Sequence, residues 1–100
     1  MVVVNGIVKT TQADISALRE AIATMEQASR EEEGCIDYTF SVEVSDPDTV
    51  RITEKWGNVG ALVAHMATPH MAEFQQVMGA HPPVSMEVCF YEAEEIQPFQ

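Results

Sequence analysis

The stretch CIDYTFSVEVSDPDTVRITEKW, residues 35–56, alternates apolar and polar side chains on both sides of a turn signal. From Cys35 to Val44, Ile36, Tyr38, Phe40, Val42 and Val44 fall on one face, and Asp37, Thr39, Ser41 and Glu43 on the other. That is the period of two of a half-buried strand. Ser45-Asp46-Pro47-Asp48 is turn chemistry, because proline presets φ and aspartate side chains bond nearby backbone. From Val50 the alternation resumes, with Val50, Ile52, Glu54 and Trp56 sharing a face. Two such runs on either side of a turn predict an antiparallel hairpin.

Upstream, Val2 to Val8 is β-branched and short, with Asn5 and Gly6 interrupting it, which suits a buried strand. Thr11 offers a helix N-cap with Asp14 three residues on. Ile15, Leu18, Ile22 and Met25 follow at helical spacing, predicting an amphipathic helix of about five turns that Gly34 ends. Glu31, Glu32 and Glu33 carry the wrong sign for a helix C-terminus and are expected on a solvated acidic corner. Downstream, Asn58 caps a second helix with Leu62 and Met66 on its apolar side. Thr68-Pro69 breaks and restarts it, since proline suits a first helical position. The restarted piece places Phe74, Val77 and Met78 inward and stops at Gly79, and Val84 to Tyr91 is a last strand.

The order is β-α-β-β-α-β, which predicts an α+β ferredoxin-like sandwich: one domain over residues 1–100, with helices on one face of an antiparallel sheet. A chain this short buries only roughly 60–65% of its unfolded surface, so a second copy covering the bare sheet face is expected. The product would be a homodimeric α/β barrel. Sixteen acids against five bases, a net charge of −11, exclude nucleic acid and anionic membrane surfaces as partners. No window approaches the ~20 apolar residues of a membrane span, and MVVVNGIVKT is no signal peptide, so a cytoplasmic location is expected. Cys35 and Cys89 read as separate thiols rather than a disulfide.

Asn5, the Glu-Gly-Cys-x-x-Tyr run from Glu33 to Tyr38, Asp46-Pro47, Glu54-x-Trp56, and His65-x-x-x-x-His70 with Phe74 together resemble the antibiotic biosynthesis monooxygenase family. The resemblance implies the dimeric ferredoxin-like barrel. It also implies oxidation of a quinol or polyphenol by molecular oxygen without metal or flavin. Such chemistry asks the protein to bind a flat ring, favour its anion and exclude water. The expected catalytic residues are Asn5, holding a substrate oxygen, Trp56, as a flat wall, and His65, as base. Tyr38, Phe40, His70 and Phe74 are the expected substrate-binding residues.

No metal ligand set and no cofactor are expected. The two histidines are five apart across a proline, whereas ligands on one helix stand three or four apart, with Glu54 the natural third ligand. The haem-degrading branch of the family uses an axial histidine late in the second helix, and Phe74 to Met78 has none. Two alternatives stand beside the oxygenase reading: a non-catalytic dimer that binds an apolar metabolite, and an isomerase or lyase on the same barrel.

Overall fold

The computed structural model describes residues 1–99; Gln100, the last residue of the expected domain, lies outside the described residues. The elements run β1 (Val2–Lys9), α1 (Gln12–Arg30), β2 (Cys35–Glu43), β3 (Asp46–Trp56), α2 (Val59–Met66), α3 (Pro69–Ala80) and β4 (Ser85–Glu92). The strands form one antiparallel sheet in the order β2-β3-β1-β4, the ferredoxin-like topology expected from the alternation. Met25 of α1 and Met71 and Phe74 of α3 meet Val2, Val4, Tyr38 and Trp56 of the sheet in the main core. Fully burying an apolar side chain of this size contributes about 1.5–3 kcal/mol, so these few residues fix which sheet face turns inward.

Three side-chain caps set the helix starts as read. Thr11 Oγ1 accepts the Asp14 N–H at 3.1 Å, Asn58 Oδ1 accepts the Ala61 N–H at 2.8 Å, and Thr68 Oγ1 accepts the Met71 N–H at 3.3 Å. Pro69 opens α3, where its missing N–H costs no helical bond. The first helix stops earlier than expected, at Arg30 rather than Gly34. Gly34 instead takes φ +83 in the corner before β2, and a Cβ there would stand 2.7 Å from the Ala61 Cβ. Only glycine fits that combination. Its carbonyl accepts the Gly57 N–H at 2.8 Å, which ties the corner to the junction between β3 and α2.

The hairpin reverses one step earlier than its proline suggested. Asp46 already belongs to β3, and the turn falls at Val44 and Ser45. The Asp46 carboxylate accepts the Asp48 N–H at 3.1 Å and the Thr49 hydroxyl at 2.6 Å, and it pairs with Lys9 at 3.5 Å. The would-be turn residues are thereby held in the strand. Register shifts between Cys35 and Asp37 and between Val42 and Glu43 release Ile36 and Val44 from the inward face, and both are exposed. Val77, expected inward, is also exposed; Met66 is exposed too, although it reaches the rim of a cavity under α2.

Paired residues of an antiparallel ladder share a face. Val2, Val4, Gly6 and Val8 therefore lie with Trp56, Glu54, Ile52 and Val50 on the helical side. Asn5 lies with Thr53 and Cys89 on the open side. Cys35 pairs with Trp56 on the helical side, so the two cysteines stand on opposite faces and are free thiols, as read. At the β2 edge, the Arg30 Nε–H donates to the Tyr38 carbonyl at 3.0 Å, and Glu26 accepts the Phe40 N–H at 2.9 Å. Among the described residues, no helix is long and apolar enough to cross a membrane.

Candidate functional site

The alternation of β3 brings Glu54 and Trp56 to the same inward face, and it half-buries a carboxylate among apolar neighbours. The Trp56 indole, fully buried, donates its N–H to Glu54 Oε1 at 2.9 Å. Burial pushes the Glu54 carboxyl above its ordinary value; the indole hydrogen bond and the His65 imidazole counter that push, and the Glu32 charge adds to it. Glu54 is thus a carboxylate with raised proton affinity and one oxygen fixed in place.

Glu54 also stands at the wall of a cavity of about 190 Å³ between the sheet and the helices α2 and α3, with Tyr38, Phe40, Leu62, Phe74 and Val88 around it. Phe40 stacks edge-on against Phe74 with centroids 5.7 Å apart, and Tyr38 meets Phe40 at the same separation. Burial, then the Glu54 charge, lifts the Tyr38 phenol far above its usual value, so Tyr38 stays a protonated donor. Such a space suits a flat, mostly apolar ring carrying a polar group. A wider groove of about 500 Å³ between α1 and the β2–β3 hairpin is lined by Ile15, Arg19, Glu26 and Val42, but by neither Trp56 nor the histidines.

Behind Trp56 the broken helix converges on a second cluster. His65 in the last turn of α2 is fully buried, and its Nδ1 lies 2.7 Å from Glu32 Oε2. His70, in the first turn of α3, brings its Nε2 to the same oxygen, also at 2.7 Å. One carboxylate oxygen thus sits within hydrogen-bonding distance of both imidazoles, while His65 Nε2 is buried without a hydrogen-bond partner. The imidazole packs against Trp56 and Tyr38, with centroids 4.6 and 5.2 Å away.

The structure thus brings together Tyr38, Phe40 and Phe74 at the cavity, and Trp56, His65 and His70 beside it. It does not bring Asn5 to them. Asn5 sits exposed on the other face of the sheet, in a shallow depression with Thr53, Cys89 and Tyr91. Neither histidine lines the cavity. Sequence reading left two acids out of the substrate site. Glu54, read there only as a possible third metal ligand, carried a usable signal as a charged residue on the inward face of β3, between Ile52 and Trp56. Glu32 carried none: the corner expected to be solvated turns its middle glutamate inward, leaving its side chain 13% exposed. Nothing local distinguishes it from Glu31 and Glu33.

A family model described as antibiotic biosynthesis monooxygenase matches residues 1–77. Among solved structures, a candidate antibiotic biosynthesis monooxygenase from Deinococcus radiodurans is 29% identical. The match covers all of this chain and 99% of that one, with a TM-score of 0.89. A conserved protein of unknown function from Bacteroides thetaiotaomicron, suggested as a possible oxidoreductase, is 26% identical over 92% of this chain and 96% of its own, with a TM-score of 0.82. An uncharacterised Synechocystis protein, sll1783, is 31% identical over 74 residues, 74% of this chain; the match spans 50% of that relative's length. With a family model matching most of its length and the βαββαβ sheet order in place, the chain belongs to the antibiotic biosynthesis monooxygenase family.

Proposed function

We propose that this protein is a monooxygenase that oxidises a quinol or polyphenol with molecular oxygen in the cavity under α2 and α3, using side chains alone at the ring. The observation that carries this reading is Glu54: a half-buried carboxylate of raised basicity, held by Trp56, at the wall of a cavity flanked by aromatic rings. Glu54 takes the proton of a phenolic hydroxyl, and the resulting anion is electron-rich at a ring carbon ortho or para to it that still carries a hydrogen. That carbon passes an electron to oxygen, and the two radicals combine into a carbon–peroxide anion. The hydrogen on the same carbon moves to the distal oxygen as the O–O bond breaks. One oxygen atom stays as the new quinone carbonyl, and the other leaves as hydroxide, which recovers the proton from Glu54 as water. Trp56 acts as a positioning residue, and Tyr38 is the nearest hydroxyl donor for a developing carbonyl.

The low-dielectric walls favour this sequence by keeping water from the peroxide. Homodimerisation through the open sheet face belongs to the same proposal, since that face carries Val3, Ile7 and the exposed Tyr91 and, among the described residues, no element covers it. Oxygen consumption by the protein with a panel of dihydroxynaphthalenes and quinols tests it. Uptake above autoxidation, one water and one quinone per oxygen, and its loss in Glu54→Gln are expected. Uptake equal to the buffer control across the panel favours the second reading, a module that stores an apolar metabolite. That reading draws on Met66, Met71, Met78 and Met86 around the cavity, whose flexible thioethers adapt to varied apolar shapes.

A further inference from the structure

We infer that Glu32, His65 and His70 form a site for a divalent transition-metal ion of the zinc class, set behind the substrate cavity and joining three elements of the fold. The donor atoms come from the α1–β2 corner, the last turn of α2 and the first turn of α3, and all lie within 4.8 Å of one another. Two imidazole nitrogens and one carboxylate oxygen are a three-protein-ligand set of the kind zinc and its neighbours accept, with a fourth position left for water. The five-residue spacing that argues against a metal on one continuous helix is no obstacle here. The Thr68-Pro69 break turns the two histidines onto one point from different helices.

The geometry shows what an ion would replace. Each imidazole places one ring nitrogen 2.7 Å from the same Glu32 oxygen. Around a tetrahedral ion with bonds of about 2.0–2.1 Å, neighbouring donor atoms stand about 3.3 Å apart. The carboxylate therefore draws back by roughly half an ångström, and the two imidazole nitrogens, now within 4.8 Å, close toward the same spacing through side-chain rotation. A ligating imidazole nitrogen carries no hydrogen, so the ring hydrogen sits on the opposite nitrogen. At His65 that is Nε2, buried with no partner, a cost that the metal bond has to offset. An entry path exists, since the Glu32 and His70 side chains remain 13% and 23% exposed while His65 is closed off.

None of the three ligands lines the 190 Å³ cavity, so the ion is a structural clip rather than an oxygen-activating centre. The site stands independently of the oxygenase reading. The test is a titration of the chelator-stripped full chain with Co²⁺, followed by visible ligand-field absorption, and with Zn²⁺ by calorimetry. One ion per chain, intense tetrahedral-type Co²⁺ bands and a raised melting temperature are expected. His70→Ala should weaken binding by more than about tenfold, the lower end of what even an outer partner of a metal ligand supplies. His81→Ala, at a histidine that contacts Asp14 instead, should leave binding unchanged. Absence of saturable binding at one equivalent, or equal affinity in His70→Ala, overturns the inference. Should the His70 variant fail to fold, the wild-type Co²⁺ spectrum decides alone, and missing bands overturn it. Oxygen uptake that fails while Co²⁺ binds separates the two proposals.

Discussion

Glu54 carries the proposed chemistry in one side chain, and its protonation has a definite stability signature. Its folded carboxyl sits above the ordinary glutamate value, so the folded state holds the proton more tightly than the unfolded chain does. The stabilisation from protonating it is fully present below the unfolded value and is lost as pH rises through the raised folded value. Glu54→Gln keeps an acceptor for the Trp56 N–H and removes the half-buried charge. We expect it to melt higher than wild type at pH 7, with the gain vanishing near pH 4, in paired thermal melts across that range. Turnover should fall roughly a hundredfold or more, the lower range for losing a general base. Trp56→Phe removes the donor that holds the carboxyl down, so Glu54 should become more basic still. The acidic limb of kcat/KM against pH then moves upward, whereas a purely packing role for the indole would leave that limb in place.

At the scale of elements, the corner between α1 and β2 depends on Gly34. A β-carbon there meets both the +83 backbone angle and Ala61, so Gly34→Ala should cost about 2 kcal/mol or more in urea unfolding. Thr68 has two tasks: it caps α3 through Met71 and donates its hydroxyl to the His65 carbonyl at 2.8 Å. Thr68→Ala should destabilise by about 1–2 kcal/mol, the range of a lost N-cap. The elements were largely legible in the chain because caps and periodicity are local: Thr11, Asn58, Thr68 and Pro69 announce their helices. What was hidden is non-local. The Glu32 corner points inward only because the Gly34 carbonyl is tied to Gly57 and two histidines arrive from residues 65 and 70. Asn5 was misplaced relative to Trp56 for a related reason. The face of β1 is set by its register against β3, which pairs Asn5 with Thr53 and Val4 with Glu54.

Across the whole molecule, the sheet separates a helix-covered face that holds the cavity from an open face on which the proposed dimerisation would take place. Glu54, Trp56 and the cavity lie under the helices, while Val3, Asn5, Ile7, Thr53 and Cys89 face outward. Ile7→Glu should therefore leave the fold intact and shift sedimentation from dimer to monomer; an unchanged sedimentation coefficient would place the contact elsewhere. The two rims of the sheet are also unequal. Along β2, Arg30 and Glu26 reach over from α1 and occupy the outward carbonyl of Tyr38 and the outward N–H of Phe40. Among the described residues, no side chain hydrogen-bonds the backbone of β4 in this way. The β2 rim is thus partly occupied where the β4 rim is not, and Arg30 and Glu26 discourage another chain from adding a strand on that side.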